Sequence, residues 1–79
     1  MSTLGSRLKA ARESQGARQY RWARLAGMSP AVYSRWESDE RAPAVADLAK
    51  LCKATGLCMS CIVLGPGHAR HRHMRVEDA

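Results

Sequence analysis

Phenylalanine is absent from the chain, and two Trp and two Tyr supply all of its aromatic surface. No segment alternates apolar and polar residues as a half-buried strand must, so a β architecture is not expected. No apolar run approaches the length of about 18 residues that a membrane helix needs. None follows the first basic residue either, so no signal peptide is expected. The three cysteines are an odd number, unlike the even set of a secreted disulfide framework, and a reducing, cytoplasmic compartment is the expectation. Size also excludes. With 79 residues there is room for one core, and a domain near this size buries only about 60% of the surface its unfolded chain exposes. An enclosed catalytic pocket would leave little core around it. No Ser/His/Asp or paired-carboxylate arrangement is visible, and the histidines are confined to His68, His71 and His73. An enzyme is therefore not expected, and no cofactor or metal is implied.

Acid is the scarcer charge: 7 Asp+Glu stand against 13 Lys+Arg, a formal charge of +6. The distribution is polar. Arg7, Lys9, Arg12, Arg18, Arg21, Arg24 and Arg35 are opposed only by Glu13, whereas residues 36–64 are close to neutral. The basic balance favours an anionic partner, either nucleic acid or an anionic membrane surface, and one basic half suits a protein that turns one face to a phosphate backbone.

The periodicity predicts five short helices, hence an all-α fold. Leu4, Leu8 and Ala11 recur at helical spacing over about Thr3–Gln15, and Gly16 supplies a stop. A second helix spans about Gln19–Ala26 and ends at Gly27. Ser29-Pro30 reads as N-cap and first helical residue of a third, which continues to about Ser38. The loop Asp39-Glu40-Arg41-Ala42-Pro43 leads to a fourth helix with Val45, Leu48, Leu51 and Cys52 on one face, ended by Gly56. A fifth covers about Met59–Leu64. Residues 1–65 are expected to form the domain. Gly65-Pro66-Gly67 breaks it from residues 66–79, expected to be a flexible, basic, histidine-containing tail.

Helices two and three carry the functional signal. A steep crossing needs a small side chain, which Ala23 supplies, and a tight turn needs a left-handed residue, which Gly27 supplies four positions later. Trp22, Ala26, Met28, Tyr33 and Trp36 fall where apolar anchors are required. Val32 and Leu25 are expected to face outward.

In this order and spacing, residues 4–64 resemble the Xre/Cro-type helix-turn-helix family of bacterial and phage regulators. The resemblance rests on Leu8-Lys9-Ala10-Ala11-Arg12, Gln19, Ala23, Gly27, Ser29, the run Tyr33-Ser34-Arg35-Trp36-Glu37, Pro43 and the Leu48/Leu51/Gly56 pattern. It implies a compact five-helix, lambda-repressor-like DNA-binding domain, bacterial or phage-encoded, that reads the major groove of an operator with its third helix. Gln19, Pro30, Ala31, Ser34 and Arg35 map to base-contacting positions, and Arg7, Arg18, Arg21 and Arg24 are candidate phosphate contacts. Arg35 is the best guanine reader among them, since its guanidinium can donate to O6 and N7 together. Arg12 and Glu37 match a structural ion pair. The resemblance also implies a homodimer, at least on DNA, through Leu57, Cys58, Met59, Ile62 and Val63. Departures are visible. Arg18 stands where a capping side chain is usual, Asp39 where Gly is common, and Glu40 where a basic residue often approaches phosphate.

Cys58-x-x-Cys61 looks like half of a zinc site, but four convergent ligands are needed and the histidines lie beyond the Gly-Pro-Gly break. Ordinary packed thiols are the expectation. Two function classes remain. The first is a sequence-specific transcription regulator, a repressor or autoregulator. The other uses the same fold as a protein-interaction module, such as an antitoxin or partner-binding subunit.

Overall fold

The computed structural model describes residues 3–65; the expected tail of residues 66–79 lies outside them. Five α-helices follow one another: α1 (Leu4–Ser14), α2 (Gln19–Ala26), α3 (Pro30–Glu37), α4 (Val45–Thr55) and α5 (Met59–Leu64). Among the described residues there is no strand, and no described helix is long and apolar enough to cross a membrane. α3 packs against α1 and α2, α4 against α2 and α5, and α5 against α1. The result is one shared core.

That core is Leu8, Trp22, Ala23, Ala26, Tyr33, Trp36, Leu48, Leu51, Cys52 and Ile62. Three of the four aromatic side chains are in it, which answers the missing phenylalanine. Trp22 and Tyr33 are among its largest fully buried side chains. The Tyr33 and Trp36 rings sit 5.8 Å apart at 52°, a tilted pairing of the favoured kind. Leu25 departs from expectation: it is half-buried and packed on the core. Val45 departs the other way. It has the right helical phase, but it is 74% exposed, because the packed surface of α4 begins only at Leu48.

The caps follow local chemistry. Thr3 and Ser6 form a reciprocal capping box on α1. Its Thr3 Oγ1 accepts from Ser6 N at 3.1 Å, and Ser6 Oγ accepts from Thr3 N at 2.8 Å. Ser29 caps α3 by accepting from Val32 N, with Pro30 in the first turn. Arg18 gives α2 no side-chain cap, the loss its identity implied.

Asp39 explains its own departure. It adopts φ 65, and it closes α3 as glycine would: Asp39 N donates to Trp36 O and Glu40 N to Arg35 O. Unlike glycine, it carries a carboxylate. One oxygen accepts from Thr3 Oγ1 and the other from Gly5 N at 3.0 Å, so the end of α3 holds the start of α1. Gly5 makes this approach possible. A Cβ there would lie 2.5 Å from Trp36 O and 2.6 Å from Glu37 O, both backbone atoms.

Candidate nucleic-acid interface

The turn between α2 and α3 is set by Gly27 at φ 76, ψ 34. This left-handed conformation is nearly free of cost only for glycine. Gly27 N donates to Arg24 O at 3.0 Å and Met28 N to Ala23 O at 2.9 Å, the two bonds of a Schellman closure. Met28 folds back on the core. The chain then restarts at Ser29-Pro30, and α3 packs against α2, whose Ala23 is fully buried.

A buried polar cluster fixes where α3 ends. Arg12 Nε donates to Glu37 Oε2 at 2.6 Å and Arg12 Nη2 to Glu37 Oε1 at 3.1 Å, a two-point pair. Arg12 Nη1 donates to Ala17 O at 2.7 Å, and Gln19 Nε2 to Glu37 Oε1 at 2.9 Å. One carboxylate thus ties α1, the α1–α2 connection and the first residue of α2 to the last residue of α3. Burial by itself would raise the Glu37 carboxyl, but Arg12 first, then the Tyr33 hydroxyl and the Gln19 amide, outweigh it and hold the group below its ordinary value. The carboxylate in turn raises Arg12 above its ordinary value. The Tyr33 hydroxyl is buried beside this cluster yet outside hydrogen-bonding geometry. Burial first, then the nearby carboxylate, holds its phenol well above the usual range.

Ala31, Ser34 and Arg35 lie on the arc of α3 away from buried Tyr33 and Trp36, and Pro30 stands in its first turn. Pro30, Ala31 and Arg35 are exposed and Ser34 is half-buried. Gln19 stands apart from them. It is half-buried, and the bond to Glu37 takes one of its amide hydrogens; its geometry is that of a positioning residue first. Arg18, Arg21 and Arg24 are exposed. Between Ser14 and Trp36 the chain holds four arginines and no acid.

Arg7 is not with them. Its Nε donates to Ile62 O and its Nη2 to Val63 O, both at 2.8 Å. This guanidinium closes the C-terminal end of α5 against α1, a structural use that the phosphate-contact expectation did not include. Sequence could not distinguish these uses of an arginine, because the carbonyls it meets are 55 and 56 residues away. The residues of the expected dimer surface differ in exposure. Ile62 is buried core; Leu57, Cys58 and Met59 are half-buried, and Val63 is exposed. Leu64, which the sequence did not single out, is 64% exposed and lines a shallow apolar depression with Met59, Ser60 and Val63. Two more residues were missed. Tyr20 is exposed at the start of α2 and borders a groove with Arg24, Gly27, Met28, Ser29 and Pro30. Lys50 brings its ammonium over Gly27 from α4. Among the described residues no group of three or more potential metal ligands converges. The histidines lie outside them.

Two short packed helices, the first with a fully buried alanine, joined by a left-handed glycine and braced by an arginine–glutamate pair, define a helix-turn-helix protein. The chain belongs to the Xre/Cro-type helix-turn-helix family, whose model, described as Helix-turn-helix, matches residues 8–58. Over 56 residues, 71% of this chain, it is 41% identical to the HTH-type transcriptional regulator PuuR of Escherichia coli and, to the same extent, to that of Shigella flexneri. The matched segment is only 30% of each of those regulators. The fold superimposes on the P22 c2 repressor in complex with a synthetic operator with a TM-score of 0.76, at 28% identity, covering 82% of this chain and 98% of that one. The solution structure of the P22 c2 DNA-binding domain gives 0.74 at 25% identity, covering 91% and 93%.

Proposed function

We propose that this chain binds double-stranded DNA in a sequence-specific manner as the DNA-reading domain of a transcription regulator, with α3 in the major groove. The observation that carries the reading is the combination of a braced helix-turn-helix with an acid-free segment, residues 15–35, on which Arg18, Arg21, Arg24 and Arg35 are all exposed. Arg35 is the guanine reader. Pro30 and Ala31 offer apolar surface suited to a thymine methyl, and Ser34 reaches a base edge or phosphate. Arg18, Arg21 and Arg24 contact phosphates and set register. Gln19 keeps its carbonyl and one amide hydrogen for DNA while it holds Glu37.

One such unit buries little surface against DNA, and two copies on half-sites one helical turn apart remove that limit. The exposed Val63 and Leu64, with Met59 beside them, support α5 as the face for the second copy. The output is repression or autoregulation, and the compartment is the cytoplasm. Selection of bound duplexes from a random pool tests the reading. It predicts a motif of two related half-sites centred about 10 base pairs apart. A pool that stays random would overturn it and turn attention to a protein partner.

A further inference from the structure

Cys58 and Cys61 form a feature that DNA reading does not use. Cys58 is the N-cap of α5, and its Sγ accepts from Cys61 N at 3.4 Å. That bond folds the Cys58 side chain back toward the fourth residue, so the two cysteines share a single turn. The Cys61 thiol is in hydrogen-bonding contact with Cys58, and both residues are partly accessible to solvent. The third thiol differs in access: Cys52 is 5% exposed in the core, while burial pushes both Cys52 and Cys61 up to about 11. None of the three is in a disulfide.

We infer that Cys58 and Cys61 are a redox-active dithiol that closes to an intramolecular disulfide by exchange with a low-molecular-weight disulfide, while Cys52 stays reduced. The chemistry balances in two exchanges. A thiolate of the pair attacks one sulfur of the small disulfide, forming a mixed disulfide and releasing one small thiol. The second cysteine, having lost its proton, attacks the protein sulfur of that mixed disulfide, and the second small thiol leaves. The protein dithiol is oxidised by two electrons and the small disulfide is reduced to two thiols. The spacing suits the product: a disulfide needs Cα atoms about 4.4–6.8 Å apart, and the capping bond already gathers the two residues within one turn. The site lies in the first turn of α5, next to Met59 and Ser60 of the apolar depression. Its chemistry does not depend on the DNA reading.

The test poises the purified full chain in glutathione buffers from fully reduced to fully oxidised, followed by acid quench, alkylation and peptide mapping. The expected result is a single transition in which Cys58 and Cys61 lose reactivity together, the mass falls by two hydrogens, Cys52 remains alkylatable after denaturation, and helical circular dichroism persists. Cys58→Ser and Cys61→Ser should each abolish the transition, and Cys52→Ser should keep it. Phenylarsine oxide, which bridges two neighbouring thiols, should bind the reduced chain one to one and fail on either single variant. Any of three results overturns the inference: both thiols reactive across the series, a stable glutathione adduct in place of the closed pair, or a disulfide that includes Cys52.

Discussion

Removing the Glu37 carboxylate should unfold the domain before it affects any partner. The Glu37 side chain is 3% exposed and that of Arg12 11%. Glu37→Ala strips three hydrogen bonds from one carboxylate and leaves the Arg12 guanidinium desolvated, with only the Ala17 carbonyl and the exposed carboxylate of Glu13, 4.0 Å away, still near it. Breaking a buried pair in this way costs about 3–5 kcal/mol. A domain of this size holds roughly 4–12 kcal/mol in all, at about 0.05–0.15 per residue, so the variant sits near its limit. Glu37→Gln keeps an acceptor for Arg12 and should lose less, about 1–3 kcal/mol. Urea titration followed by circular dichroism measures both. A double-mutant cycle with Arg12→Ala should return a coupling above about 1 kcal/mol. The pH dependence gives a second handle. Glu37 titrates below its ordinary value of 4.5 in the folded state. Its contribution is therefore complete above that value and is lost as pH falls through the lower, folded one. Wild type should lose stability on acidification below about 4.5, and Glu37→Gln should lack that component. Unchanged unfolding midpoints in both Glu37→Ala and Arg12→Ala would refute the brace.

Three further outcomes follow from named contacts. Tyr33→Phe should be neutral or stabilising in thermal melts, because the hydroxyl is buried beside the Glu37 carboxylate but outside hydrogen-bonding geometry, and its removal ends a desolvation cost; a loss above about 1 kcal/mol would mean that the hydroxyl is bonded to Glu37 in solution. Gly5→Ala should destabilise by about 1–3 kcal/mol, since its Cβ meets backbone that cannot swing aside; a wild-type melting temperature would contradict the close α1–α3 approach. Arg7→Ala should lower the melting temperature and spare the salt dependence of DNA binding, because its guanidinium closes α5. Arg21→Ala should do the reverse and reduce the salt slope by about one.

Much of this was legible in the sequence because it is written locally. Gly27, Ser29-Pro30 and Gly56 fix helix ends through backbone conformation and capping, which act over a few residues. The Arg12–Glu37 pair was reachable only through family resemblance, since nothing in the spacing links residues 25 apart. What stayed hidden depends on tertiary approach. Gly5 looks like an ordinary weak point in a helix until α3 lies across it. Asp39 reads as a poor substitute for glycine until its carboxylate meets Thr3. Arg7 carries the same charge whether it faces phosphate or the end of a helix. Ile62 and Val63 are adjacent apolar residues, and only the packing of α5 on α1 and α4 decides that one is core and the other surface.

The central claim is that α3 reads bases through Arg35. Selection from a random duplex pool, carried out in parallel with wild type and Arg35→Ala, tests it most directly. The account predicts that the variant retains the half-site spacing, loses about 1–3 kcal/mol on the wild-type site and relaxes the preference at one base position per half-site. A variant that selects the unaltered motif and binds all sequences uniformly more weakly would make Arg35 a phosphate contact and contradict the account.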